Sequence, residues 1–303
     1  MSEQPTPKAT TATAARVFDS KSSHWYTSLG EPCYELPKAN GKGTKSPTLA
    51  DARKLGLLPS VTTILKALAK PELQSWIIEQ SILAVLTTPR RPGETEDAFV
   101  HRVLHEQAEQ EQERQKAADL GTRIHDALAD ALMGQTVKDD IWPYIAGVVP
   151  ILAARLGHNG QIWSEVPFAF GHYGGRIDMV MYADGSVMVY DFKTTKTIPD
   201  KQPWKEHRLQ LAAYSAAVEN RFATLYPVSQ LKVSCANVYI STIEPGKWAI
   251  YEIPDWASIY QFAWDPLVML WQWLNQYYVP EAVLAAFPFE FGRLIEPKKD
   301  ETN

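Results

Sequence analysis

The chain has 303 residues, 45% of them hydrophobic and 21% charged, and a formal net charge of −5, which is enough to bury a substantial core in one large α/β domain or two small ones. No apolar run approaches the roughly 18 residues of a membrane span, and with only Cys33 and Cys235 neither a disulfide framework nor a four-thiolate cluster can form. The acidic balance argues against a broad nucleic-acid-binding coat, but it leaves room for a local basic groove because exposed charges are screened beyond about 10 Å.

Residues 1–20 are rich in Ser, Thr, Ala and Pro and lack the apolar core of a secretory signal. They are expected to form a disordered leader, and the cytoplasm is the default compartment. His24–Thr27 and Pro32–Leu36 read as two short strands around Gly30. Pro59–Leu65 leads into a helical segment, and Pro71 opens another that runs through Leu86 before Pro89 and Pro92 break it. From Thr95 to Met133 the near absence of Gly and Pro predicts one long helix or two joined ones, with Glu106–Glu113 as a solvated face. Ile141–Leu156 predicts a further buried helix.

Beyond that helix the apolar spacing changes to period two. Ser164–Phe170, Gly175–Ala183 and Val187–Lys193 read as strands, the last two joined as a hairpin through Asp184 and Gly185. Lys205–Phe222 returns to helical spacing through Leu209, Ala212, Ala213 and Ala216. Leu231–Ile240 and Trp248–Ile253 give two more strands, and Trp256–Leu274 a last amphipathic helix. The fold class is α/β, a central mixed sheet flanked by helices with an additional helical N-terminal region. The expected division is N-terminal strands and helices over 21–118 packed on a core over 119–295, then a flexible tail over 296–303.

Asp191 and Lys193 are two apart on one strand, so both side chains leave the same face, beside Val187 and Val189. Burying an unpaired carboxylate or ammonium there costs several kcal/mol unless a partner or a metal compensates. Asp178 lies on the preceding strand, on the face of Arg176, Val180 and Tyr182, and strand pairing could bring the two aspartates together. Two close carboxylates repel unless a hard cation such as Mg²⁺ or Mn²⁺ bridges them. Such a cation with an adjacent ammonium is what phosphodiester hydrolysis needs, a more acidic water and a neutralised developing charge. The plainer alternative for these three residues is a hairpin ion-pair cluster.

Several segments resemble the PD-(D/E)xK nucleases, and within them the RecB-like exonuclease branch. They are Gly175-Arg176-Ile177-Asp178, Asp191-Phe192-Lys193-Thr194-Thr195 and Gln210-Leu211-Ala212-Ala213-Tyr214. Gly121-Thr122-Arg123-Ile124-His125 is similar to the branch's helical GxxxH element, and Glu165 to its additional acidic position. Pro59–Leu65 looks like the segment preceding the core in phage-type and mitochondrial genome-maintenance exonucleases. The position usually held by Pro in the first catalytic element is not Pro here. The resemblance implies a restriction-endonuclease-like core and Mg²⁺ or Mn²⁺ as cofactor. It implies that Asp178, Asp191 and the main-chain carbonyl of Phe192 bind the metal, with His125 as a further ligand. Lys193 would orient water or stabilise the transition state, and Glu165 would join the catalytic set.

Helical spacing puts His125 on a face with Gly121, Leu128 and Leu132, so it can point inward. Gln210 and Tyr214 are one turn apart and project together, toward the lysine or a nucleotide, or else form an ordinary hydrogen-bonded helix surface. Arg176, Arg123, Lys196 and Lys205 are candidate phosphate contacts. Trp25, Tyr26 and Trp204 are candidate base-stacking groups, whereas Trp264, Trp271 and Trp273 have the spacing of a core. The four-cysteine iron–sulfur site of some RecB-like nucleases cannot form here. No GxxxxGK[ST] loop is present, so no ATP-driven motor is expected. The expected activity is that of a Mg²⁺- or Mn²⁺-dependent DNA exonuclease acting on linear ends, of phage or prophage recombination type, either alone or with a helicase or single-strand annealing protein. A structure-specific or restriction-type endonuclease is the alternative on the same fold. A non-catalytic DNA-binding protein is a third reading, against which the complete set of Asp178, Asp191 and Lys193 argues.

Overall fold

A computed structural model describes residues 13–16, 24–68, 78–79, 82–157, 160–183, 185–225, 231–279, 282–289 and 291, with backbone alone at 13–16 and 104–117. The chain divides into two compact units, Met1–Ala67 with Ile124–Asn303, and Leu68–Arg123. This differs from the boundary expected near 118. The N-terminal segment shares the unit of the sheet because its aromatic residues are core, Tyr26 packing with Leu58 and Ala169. Asp184, Pro71 and the tail 296–303 lie outside the described residues.

In chain order the first unit begins with β1 (Thr13–Arg16), β2 (Trp25–Tyr26), β3 (Leu36–Pro37), β4 (Thr44–Lys45), α1 (Leu49–Leu55), β5 (Leu58–Pro59) and α2 (Val61–Leu65). The long helix α3 (Glu96–Leu132) begins in the second unit and continues into the first from Ile124. Within the second unit Arg102 pairs with Glu94 at 2.8 Å, and Arg90 and Arg102 both lie over the Phe99 ring. Then follow α4 (Trp142–Ile145), α5 (Val149–Leu156), β6 (Gln161–Gly171), β7 (Tyr173–Ala183), β8 (Ser186–Thr195), α6 (Lys205–Ala223), β9 (Lys232–Ser241), β10 (Trp248–Glu252), α7 (Trp256–Ile259), a π-turn (Tyr260–Trp264), α8 (Asp265–Asn275) and β11 (Val283–Ala286). Among the described residues no helix is long and apolar enough to cross a membrane.

The central sheet has seven strands in the order β1-β6-β7-β8-β9-β10, with β11 also on β6. It is mixed: β7 runs antiparallel to both of its neighbours, β6 and β8, while β8 and β9 are parallel. A parallel pair needs a crossover, and α6 supplies it. Residues 210–218 of α6 are all buried, not only the predicted stripe, as is usual for a helix covered on more than one side.

Several elements differ from the sequence expectation. Four residues of the expected leader form β1, parallel to β6, and β11 takes the other part of the same edge; an open edge offers unpaired N–H and C=O groups to whatever chain lies alongside. β2 pairs with β5, and β3 with β4, while the two segments expected around Gly30 meet at an antiparallel bridge, Tyr26↔Pro32, where the Cys33 N–H donates to the Trp25 carbonyl at 2.8 Å. The helix expected over Ile141–Leu156 is two short ones, each with a proline in its first turn. Pro150 has no N–H to give the carbonyl four residues back, so the first helix ends. Pro266 does the same near the end of the chain, and the helix takes a π-turn over Tyr260–Trp264 just before it.

Candidate active site

The β7–β8 ladder runs from Ala183↔Ser186 to Met179↔Tyr190 and then stops. One step further Asp178 and Asp191 would face each other. There the main-chain N–H of Phe192 donates to Asp178 Oδ2 at 2.7 Å in place of a backbone acceptor on β7. In a strand the N–H and C=O of one residue point the same way, so the Phe192 carbonyl also leaves toward β7. On the other side β8 stays paired with β9 through Thr195↔Ser241. The site is thus a fork between two strands, held open by a side chain.

Lys193 crosses back to Asp191, Nζ to Oδ1 at 2.9 Å, and also donates to Gln210 Oε1 at 3.1 Å. Gln210 Nε2 in turn donates to Tyr214 OH at 2.6 Å. The one-turn spacing on α6 therefore builds a relay over the lysine, with both residues buried. His125 Nδ1 is 3.8 Å from Asp178 Oδ2, and the imidazole meets the Phe192 ring edge-on. The structure thus brings Asp178, Asp191, Lys193, His125, Gln210 and Tyr214 together.

Asp191 is fully buried. Burial, reinforced by the nearby Asp178, pushes its carboxyl up to about 6, against the pull of Lys193. Burial also raises Asp178, opposed by Lys193, the Phe192 N–H and Arg176. For Lys193 burial alone would lower the pKa, but the two aspartates more than offset it and the ammonium is held above its usual value. Burial and the Lys193 charge bring His125 down to about 4, so its imidazole is neutral at pH 7. A close like-charge pair, one member fully buried, beside a retained ammonium and a neutral imidazole is an arrangement suited to binding a cation and a phosphate.

The family model of the PD-(D/E)XK nuclease superfamily matches residues 92–263, more than half of the chain and the whole of this fork. The chain belongs to the PD-(D/E)XK nuclease superfamily. Its mixed sheet flanked by helices is consistent with the restriction-endonuclease-like fold of that superfamily. A solved structure titled "Crystal structure of SSO0001" is 16% identical, with 65% of this chain and 86% of that chain covered and a TM-score of 0.29, a likeness too loose to bear on the fold. No curated protein matches significantly.

Among the described residues of this PD-(D/E)XK chain, no three His, Cys, Asp or Glu side chains stand close enough to form a ready metal cage. The donor set still fits a hard divalent cation. Mg²⁺ keeps several waters and is commonly held by one or two carboxylates with substrate phosphates, and this fork offers the buried carboxylate of Asp191 and the half-buried one of Asp178 beside a backbone carbonyl.

Glu165 stands apart from the two aspartates in its bonding. It lies across from Asp178 between the pairs Ser164↔Met179 and Val166↔Ile177, and its carboxylate meets Arg176 Nε at 2.6 Å. Its φ of 54° is left-handed, sparsely populated for a residue with a side chain and costing about 1–3 kcal/mol. Of the expected phosphate contacts, Arg176 is therefore engaged by Glu165. Lys196 is exposed at the start of the loop after β8, and Arg123 is exposed in the other unit. Of the expected stacking groups, Trp25 and Tyr26 are buried at 6% and 3% exposure, whereas Trp204 is 43% exposed. Trp264 and Trp271 are core, but Trp273 is exposed.

Sequence reasoning missed Asn237. It is fully buried on β9, directly in register with Asp191, and its Nδ2 donates to Asp191 Oδ2 at 2.9 Å. Both oxygens of Asp191 are therefore held, one by Lys193 and one by Asn237. The signal was present, a lone amide within the apolar run Cys235–Ile240, which is the argument that singled out Asp191 on β8.

Proposed function

We propose that this PD-(D/E)XK nuclease is a Mg²⁺- or Mn²⁺-dependent DNA exonuclease of the RecB-like branch, acting on linear ends in phage or prophage recombination or DNA processing in the cytoplasm. The observation that carries this reading is the fork itself, with the buried Asp191 and the half-buried Asp178 at its mouth and Lys193 bonded to Asp191 and Gln210. Asp178, Asp191, the Phe192 carbonyl and His125 would hold the metal. When bound, the ion makes a water more acidic and neutralises charge on the phosphate. The chain's own residues do the rest. Lys193 keeps its proton and presents a positive charge to the phosphoryl oxygens as negative charge develops on them. Gln210, backed by Tyr214, fixes the direction of that ammonium. Asn237 fixes the rotamer of Asp191. A neutral His125 offers a lone pair and not a competing charge. A helicase or a single-strand annealing protein would supply unwinding or take up the product strand.

The direct test incubates the protein with end-labelled linear DNA and covalently closed circular DNA, each with Mg²⁺ or with EDTA. Degradation of linear DNA alone, abolished by EDTA, is expected. Cleavage of the closed circle would turn the assignment to an endonuclease, and DNA binding without cleavage would turn it to a non-catalytic protein.

Asn237→Leu keeps the number and branching of the side-chain heavy atoms, at a somewhat larger volume, and removes the amide that donates to Asp191. The Mg²⁺ concentration for half-maximal cleavage is expected to rise at least about tenfold, the usual effect of losing a partner that orients a metal ligand. An unchanged Mg²⁺ titration would rule out this positioning role.

A further inference from the structure

Next to the fork, β9 places Tyr239 in register with Lys193, two residues beyond Asn237 and on the same face of the sheet. Its hydroxyl is 2.6 Å from His207 Nδ1 and accepts the main-chain N–H of Trp204 at 3.4 Å. Trp204 caps α6, the helix that carries Gln210, and its carbonyl accepts the N–H groups of His207 and Arg208 at 3.0 and 3.2 Å. The indole is further held by the rings of His207 and Tyr239, with centroids 5.3 and 5.6 Å away. Both rings stand steeply to it, at 70° and 84°, so neither occupies the stacking position. Tyr251 donates to the carbonyl of Pro199 and anchors the same loop against β10. Lys196, Lys201 and Lys205 line this loop and are exposed.

A large aromatic residue that is 43% exposed yet fixed through its backbone and two neighbouring rings is unusual on a surface. Held rigidly, it loses little entropy when a planar ligand settles on it. Its place, one ring beyond the strand partner of the active-site lysine and among lysines that suit phosphates, defines the ligand. We propose that Trp204 is a stacking platform for an unpaired nucleobase of the strand being cut, adjacent to the phosphate at Lys193. This rests on the nuclease reading above and deepens it. In a duplex both faces of each base are taken by its neighbours, so the platform selects single-stranded or frayed ends. Of the three aromatic residues that the sequence offered for this role, Trp204 alone is exposed.

The test measures binding of short single-stranded oligonucleotides by fluorescence anisotropy in a Lys193→Ala background with Mg²⁺. The strands are intact or carry one abasic position moved stepwise from the end. Trp204→Ala is expected to weaken binding of the intact strand between about fivefold and a hundredfold, the range of one base–aromatic stack, and Trp204→Phe to restore most of it. One abasic position should weaken binding when Trp204 is present and have no effect in Trp204→Ala. Equal affinities with Trp204 intact and in Trp204→Ala, or an abasic penalty that persists without the indole, overturn the platform while leaving the nuclease assignment standing. If the protein with Trp204 intact binds no oligonucleotide, and the wild type cuts no DNA, both readings fall together. Thermal melting of both variants identifies a loss due to unfolding, and the Phe variant then decides.

Discussion

Lys193→Ala is expected to slow DNA cleavage by at least about 10²–10³-fold, the effect of removing one preorganised stabiliser of transition-state charge. The reason lies in how the ammonium is held. Asp191 fixes it from one side and Gln210 from the other, so its position in the fork is set by the protein itself. The substitution also leaves the Asp191 carboxylate buried with only the Asn237 amide as donor, and this carries a pH signature. The Asp191 carboxyl is already pushed up to about 6 by burial, above the unfolded value near 3.9. A group raised in the folded state binds its proton more tightly there, so stability is greatest at low pH and declines as pH rises through the folded pKa. Losing Lys193 raises that pKa further, and the decline should extend to higher pH. Melting temperatures followed from pH 5 to pH 8 in EDTA should therefore fall more steeply for Lys193→Ala than for wild type. A variant that melts in parallel with wild type and cleaves normally would remove Lys193 from both roles.

Asp178→Asn should show opposite effects on stability with and without metal. The amide keeps an oxygen to accept the Phe192 N–H, so the fork stays supported. Without metal the substitution removes a charge that repels Asp191, and the variant is expected to melt above wild type. With Mg²⁺ or Mn²⁺ the order should reverse. An ion at about 100 times its Kd stabilises the protein that binds it by about 2.7 kcal/mol, and the variant has lost a ligand. Cleavage should fall by at least about 10-fold. Calorimetry of both proteins in EDTA and across a metal titration measures this. A wild type whose melting ignores divalent ions would overturn the ligand assignment of Asp178.

Much of the site could be read from the chain because its signals are local. Charges two apart on a β-periodic segment must share a face, and Asp191 and Lys193 do. Residues four apart on a helix must share a side, and Gln210 and Tyr214 do. The hairpin that carries Asp178 followed from two alternating segments around a tight turn. Each of these depends only on backbone period and nearest neighbours.

What the tertiary structure alone decided concerns residues far apart in sequence. Whether Asn237 faces Asp191 depends on the parallel register of β9 after the α6 crossover, and a one-residue slip would have put it on the other side of the sheet. The pairing of Glu165 with Arg176, the burial of Trp25 and Tyr26 and the exposure of Trp204 likewise depend on which elements come to lie alongside one another. The two prolines show the same limit within a helix. Their missing N–H groups are written in the sequence, but whether the chain ends a helix there, as at Pro150, or takes a π-turn, as before Pro266, was settled by the packing around it. Composition and period thus determined that the chain makes a mixed sheet with charged residues placed where apolar ones belong. Long-range register and packing determined which partners those charges have, because pairing energy is gained only when distant segments meet.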